Sequence, residues 1–144
     1  MKKYVVAVIF NPTMEETLLL HRNREPYANM LNGIGGKIEE GETPNEAFLR
    51  EMQEETGISS SLIDFYQEMV KMTFPNGVEL VCFYAILACE PVIWEKNKEG
   101  IVAWYNIEEL DLLNASHSML AGDGNISYMI QFARNLERIR QNTL

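Results

Sequence analysis

Gly36-Lys37-Ile38-Glu39-Glu40-Gly41-Glu42-Thr43-Pro44-Asn45-Glu46-Ala47-Phe48-Leu49-Arg50-Glu51-Met52-Gln53-Glu54-Glu55-Thr56-Gly57-Ile58 is the stretch around which the chain is organised. It carries two physical signals. The first is a helix with both ends written in the sequence. Thr43 is an N-cap residue, Pro44 takes the first helical position, and Glu46 stands three residues after the cap, which makes a capping box. Gly57 closes the helix, where a left-handed residue is expected. The second signal is a charge pattern that an isolated helix disfavours. Glu51, Glu54 and Glu55 fall at i, i+3 and i+4 and share one face, and like charges so spaced cost about 0.2–0.5 kcal/mol per pair. A bound divalent cation turns that repulsion into coordination, because hard cations such as Mg²⁺ take carboxylate oxygens. A solvated acidic face is the ordinary reading of such a run. Three neighbours weigh toward a built site. They are Gly35-Gly36, which imply a tight loop with accessible backbone, Glu42 just before the cap, and Arg50, whose planar fork can hold a carboxylate.

Upstream, Lys3 to Phe10 is rich in Val and Ile and reads as a first strand. Asn11-Pro12-Thr13 turns the chain, and Thr17 to His21 reads as a second strand. Arg22 and Arg24 follow it, placed either to meet phosphates or to form a solvated strand end. Leu31-Asn32-Gly33-Ile34-Gly35-Gly36-Lys37 leads into the helix. Its glycines let the backbone approach another group closely, and Gly36 has no side chain to block its carbonyl. Lys37 can reach a phosphate, or can simply be an exposed lysine.

Downstream, Ile63 to Thr73 and Val78 to Cys89 read as strands joined through Pro75-Asn76-Gly77, a hairpin signal. Glu90 to Gly100 reads as a charged loop interrupted by Val92-Ile93-Trp94. Ile101 to Tyr105 is another strand, and Ile107 to Leu110 begins a helical turn. Asp123 or Asn125 can cap a last helix, whose Ile126, Met129, Ile130, Ala133, Leu136 and Ile139 recur at helical spacing. Arg134, Arg138 and Arg140 lie toward its C-terminus, where cations suit the helix dipole. Strands, helix, strands, helix predicts an α/β fold, a mixed sheet with helices on its faces.

The opening stretch resembles the Nudix box, G-x5-E-x7-R-E-U-x-E-E-x-G-U with U a bulky aliphatic residue. Gly36, Glu42, Arg50, Glu51, Met52, Glu54, Glu55, Gly57 and Ile58 fill every fixed position. The resemblance implies a Nudix-like α/β/α sandwich and hydrolysis of a nucleoside diphosphate linked to another moiety. It implies Glu51, Glu54, Glu55 and the Gly36 carbonyl as metal ligands for Mg²⁺, with Mn²⁺ as a substitute. Arg50 then orients a carboxylate, Glu42 holds the loop or the outer shell, and Glu51 and Glu54 are both candidates for the general base. A further acid often comes from the loop before the strand that carries Trp104. Glu99 matches that spacing, with Glu95 as the fallback. The segment around Asn32 resembles the N-G-F-G-G-K of the MutT-type 8-oxo-dGTP diphosphatases, in which the asparagine contacts the base. Asp123 matches one of their acids that read the purine edge. The stacking Trp of the human-type enzymes would fall at Ala121, and only one Asp is present. Asn32 as a turn residue and Asp123 as an N-cap are the competing structural readings. Pro75 sits close to where ADP-ribose hydrolases of this family place a proline, but turn chemistry already accounts for it.

The whole chain is consistent with this. Its 144 residues suit a single domain over 1–144 with a sizeable core. A formal net charge of -9 argues against nonspecific binding to nucleic acid or to anionic membranes and does not exclude a polyphosphate that arrives with metal ions, while the resemblance implies a small-molecule nucleotide as the partner. Lys2-Lys3 before a short apolar run that ends in Asn11-Pro12 reads as a strand start, not a signal peptide. No run approaches the length of a transmembrane helix. Cys82 and Cys89, both in an apolar stretch, read either as buried thiols or as a disulfide, and two cysteines without secretory context favour thiols in a reducing compartment, the cytoplasm.

Overall fold

The computed structural model describes residues 2–110, 112, 119–122 and 125–143. Strand β1 (Lys3–Phe10) is followed by β2 (Glu16–Arg22), β3 (Leu31–Asn32), β4 (Ile34–Lys37), helix α1 (Pro44–Thr56), β5 (Ile63–Thr73), β6 (Glu79–Leu87), β7 (Trp94–Asn97), β8 (Gly100–Asn106) and helix α2 (Asn125–Thr143). Short 3₁₀ turns lie at Ser60–Leu62 and Ile107–Leu110. The sheet runs β5-β6-β1-β2-β8-β7, with β4 on β1 and β3 on β2. β1 and β6 are parallel and the other pairs antiparallel, so the sheet is mixed.

From Val5 to Phe10 β1 is apolar and buried, because both of its faces are covered there. Val5, Ala7 and Ile9 pack with Ala47, Phe48 and Met52 of α1. Val6, Val8 and Phe10 pack with Ile126, Met129, Ile130 and Ala133 of α2. This is the expected α/β/α sandwich. Phe48 stacks on Phe83 at 5.2 Å between ring centroids and anchors α1. Truncating such a side chain costs about 3–5 kcal/mol.

α1 forms as its sequence dictates. The Thr43 hydroxyl accepts from Glu46 N at 3.2 Å, and Thr43 N donates to Glu46 Oε1 at 3.0 Å. Gly57 adopts φ 75° and its N–H donates to the Gln53 carbonyl.

Four expectations are corrected. The Gly35-Gly36 pair lies in a strand and not in a tight loop with accessible backbone. β4 pairs with β1 in the register Val5↔Gly36, Val6↔Gly35 and Ala7↔Ile34, and a Cβ on Gly35 would run into the Val5 carbonyl. Gly33 and Gly35 serve close strand packing, while Gly36 makes room for the Glu51 side chain. The charged Glu90–Gly100 loop contains strand β7, made at the sheet edge by its ladder with β8, a tertiary pairing that its own Trp-Glu-Lys-Asn does not advertise. Cys82 is buried, and burial pushes its thiol up to about 12, but Cys89 is exposed beyond the end of β6. On α2, Ile139 is exposed whereas Glu137 is buried, because the sheet offers Tyr84 as a hydrogen-bond partner there.

β1 and β2 stay paired only at Ile9↔Leu18 and Phe10↔Thr17. Toward the other end of β1 they part, and β4 takes the place beside β1 while β3 stays with β2. The parting opens the sheet where the site lies.

Candidate active site

α1 carries Arg50 into the middle of the acidic cluster. Its Nε and Nη2 form a two-point fork on Glu42, at 2.7 and 2.9 Å. Nη1 reaches Glu51 Oε1 at 2.9 Å and Glu54 Oε2 at 3.2 Å. Nη2 also donates to the Lys37 carbonyl at 3.0 Å, which ties the helix to the end of β4. Such charge-assisted forks are stronger than neutral hydrogen bonds and fix geometry. The Arg50 hydrogen bonds hold the Glu42 carboxyl down at about 2, and the Glu39 N–H adds to this. Glu42 therefore ties the loop to Arg50. Arg50 itself stays charged, its pKa raised mainly by Glu42.

Glu55 lies differently. Its carboxyl is pushed up to about 8, first by burial and then by the charges of Glu51 and Glu99, against a hydrogen bond from the Gly35 N–H. Its Oε2 is buried without a hydrogen-bond partner. Burial also raises Glu51, against the pull of Arg50. A Cβ on Gly36 would collide with Glu51 Oε1, so the missing side chain lets that carboxylate lie against the β4 backbone. Among the described residues no three His, Cys, Asp or Glu side chains form a ready-made metal cluster, and Arg50 occupies Glu51 and Glu54. The donor set still fits a hard divalent cation. It offers an orphaned buried carboxylate oxygen, mutually repelling acids and a backbone freed by glycine.

Beside this cluster is a cavity of about 720 Å³, within the usual range for a small-molecule site. Gly35, Gly36 and Glu99 line its acidic side, and Arg22 and Asn32 also reach it. Arg22 Nε donates to the Pro26 carbonyl at 2.7 Å, while Asn32 Oδ1 accepts from Gly33 N at 2.8 Å, a turn-like bond. Lys37 is exposed at the end of β4 and does not line the cavity. Arg24 turns instead to the Lys98 carbonyl. Asp123 lies outside the described residues. Glu95 sits on edge strand β7 and is not part of the lining.

Tyr4, Tyr27, Phe74 and Asn125 also line the cavity. Sequence reasoning misses Tyr4, Tyr27 and Phe74 as site residues and sees Asn125 only as a cap. Tyr4 is readable from β1 alternation, since it shares the Val6 face. Tyr27, at φ 65° in an irregular loop, leaves no periodic signal.

Residues 1–122 match the NUDIX domain. The chain is 35% identical over 102 residues to the 8-oxo-dGTP diphosphatase of Escherichia coli (strain K12), covering 69% of this chain and 77% of that protein. In fold it is similar to the NUDIX domain of Shewanella oneidensis NrtR, solved with ADP ribose, with a TM-score of 0.72 at 21% identity over 95% of this chain and 87% of that one. It is also similar to the MutT protein from Methanosarcina mazei Go1, with a TM-score of 0.66 at 22% identity over 93% and 94% of the two chains. The chain belongs to the NUDIX domain family. Its complete box and its diphosphatase relative make it a Nudix pyrophosphohydrolase, a class of enzyme that works with divalent metal ions. No helix among the described residues is long and apolar enough to cross a membrane.

Proposed function

We propose that this chain is a Mg²⁺-dependent nucleoside triphosphate pyrophosphohydrolase favouring oxidised purines such as 8-oxo-dGTP, releasing the nucleoside monophosphate and pyrophosphate. Mn²⁺ substitutes for Mg²⁺. The observation that carries the proposal is that one cavity joins the two chemistries such a substrate needs. Its acidic side has Gly36 and Glu99 beside the Glu51–Glu55 cluster, and it also holds aromatic and apolar surface with two amides, Asn32 and Asn125. The likeness to the Escherichia coli 8-oxo-dGTP diphosphatase supports the substrate class.

In this reading Glu51, Glu54, Glu55 and Glu99, with the Gly36 carbonyl, hold the cation, which when bound neutralises phosphate oxygens and lowers the pKa of a water. Water adds to one phosphorus of the anhydride, the bridging P–O bond breaks, and the water's proton passes to Glu51 or Glu54. Glu54 is the more exposed of the two and the less tightly held by Arg50. Arg50 keeps both carboxylates in register. Arg22, on the cavity wall, meets phosphate oxygens, and Lys37, outside the lining, does so only where the phosphate chain extends past the end of β4. Asn32 and Asn125 read the base edge, since an amide both donates and accepts, and Asp123 adds an acceptor for the purine edge. Free thiols at Cys82 and Cys89 suit a cytoplasmic setting.

The test is a panel of 8-oxo-dGTP, dGTP, the common triphosphates, ADP-ribose and dinucleoside polyphosphates, assayed with and without Mg²⁺. Highest kcat/KM on 8-oxo-dGTP, dependent on Mg²⁺, is expected. A preference for ADP-ribose overturns the substrate assignment and keeps the reaction class. Nucleotide binding without product overturns both.

A further inference from the structure

We propose that Asn97 is a positioning residue that sets the Glu99 carboxylate at the acidic side of the cavity, resting on the reading of Glu99 as a metal-side acid. Glu99 sits in the tight turn between β7 and β8. Asn97 Oδ1 accepts from Glu99 N at 2.8 Å and from Gly100 N at 3.2 Å, an Asx-type turn. The turn is stapled to the end of β2 as well. Asn23 N donates to the Glu99 carbonyl at 2.8 Å, and Arg24 Nη2 donates to the Lys98 carbonyl at 3.0 Å. Gly100 allows the close approach, because a Cβ there would strike the His21 carbonyl. The fixed turn leaves Glu99 half-buried on the cavity wall, close enough for its charge to act on Glu51 and Glu55.

The choice of residue is informative. Asn97 Nδ2 is buried without a partner, a cost that a turn alone does not require. Aspartate would accept the same two N–H bonds and orphan no donor, but it would add a negative charge beside an already crowded acidic cluster. A neutral amide makes both bonds and adds none. Asn97 thus acts through Glu99, holding its backbone so that the carboxylate faces the acids of α1. Groups that orient a metal's ligands typically change metal affinity about 10–100-fold when removed.

The experiment is Mn²⁺ titration of the full chain without nucleotide, read by electron paramagnetic resonance of free Mn²⁺, with circular-dichroism melts to confirm folding. Wild type is compared with Asn97→Ala, Glu99→Gln, the double variant and Asn97→Asp. Glu99→Gln and Asn97→Ala should each weaken Mn²⁺ binding about tenfold or more. The double variant should bind within about twofold of Glu99→Gln, because both edits remove one ligand's contribution. Asn97→Asp keeps the turn and should bind at least as tightly as wild type. Wild-type affinity in Asn97→Ala with weakened binding in Glu99→Gln overturns the role of Asn97 alone. Losses that multiply in the double variant also overturn it, since Asn97 would then act independently of Glu99. Wild-type affinity in Glu99→Gln overturns the underlying assignment as well. If Asn97→Ala does not fold, the same cycle with Asn97→Ser, whose shorter hydroxyl cannot hold both N–H groups, separates the same outcomes.

Discussion

Each helix pairs arginine with glutamate, and the two clusters are built in opposite ways. On α2, Glu137 is buried yet fully met. Its Oε1 accepts from Tyr84 Oη at 3.1 Å and Arg140 Nε at 2.7 Å, and its Oε2 accepts from Arg140 Nη2 and Gln141 Nε2, both at 2.7 Å. Arg140 then lies over the Phe65 ring, 3.7 Å from its centroid, a cation–π contact. On α1, one guanidinium is divided among Glu42, Glu51 and Glu54, while Glu55 faces the charges of Glu51 and Glu99 with one backbone N–H to offset them. The first cluster is closed and locks α2 to the sheet. The second is short of positive charge and keeps an unspent oxygen. Acidic residues whose charge the chain does not itself compensate are candidates for chemistry, whereas a satisfied ion pair is architecture.

The same edit on both sides sharpens the contrast. Glu54→Gln should lower kcat by roughly 10²–10⁴-fold with an unchanged far-ultraviolet spectrum, since it removes a group from the reacting side without unpacking the core. Unchanged turnover would remove Glu54 from the machinery. Glu137→Gln should do the reverse. It weakens the Arg140 fork and the Tyr84 bond, costing about 2 kcal/mol of stability in urea unfolding, with kcat/KM preserved at room temperature. A loss of activity in the fully folded variant would break the division. Glu55→Gln should stabilise the metal-free protein by about 1 kcal/mol, because a neutral amide relieves the crowding of buried carboxylates, while abolishing most of the Mn²⁺ binding. A lower melting midpoint in the metal-free variant would contradict the charge deficit.

The smallest effect is in pH. Arg140 holds the Glu137 carboxyl below its ordinary value of 4.5. A depressed carboxyl stabilises the fold above the unfolded value, and that contribution drains as pH falls through the folded value. Wild type should therefore lose stability more steeply below about pH 4.5 than Glu137→Gln does. Parallel acid-unfolding curves for the two proteins would show the fork to be unimportant.

The cap at Thr43, the stop at Gly57 and the one-faced glutamates are legible because each signal is complete within a turn or two of helix. Lys3–Phe10 is legible as a strand, and its apolar character on both faces already implies cover on both sides. The role of Glu137 is not legible. A glutamate at helical spacing reads as solvated unless Tyr84, on a distant strand, is known to lie opposite. β7 is hidden for a similar reason, since Trp94–Asn97 becomes a strand only through its ladder with β8. The glycines of the lead-in segment stand out, but their cause is easily misread. Gly33 and Gly35 accommodate the β1 backbone, and Gly36 the Glu51 carboxylate, more than they expose their own backbone.

The sequence by itself determined the box helix, its caps and the acidic face with Arg50 inside it, and its likeness to the Nudix family carried the reaction class. These are local, since residues three or four apart on a helix must meet whatever surrounds them. Only the tertiary structure decided that β1 and β2 part to admit β4, that Tyr4, Tyr27, Phe74 and Asn125 share one cavity with Gly36, and that Glu99 lines that cavity from a turn held by Asn97. Those residues are far apart in the chain. Their meeting depends on which strands pair, and pairing is settled by how the two faces of the sheet are buried together, not by any one segment's pattern.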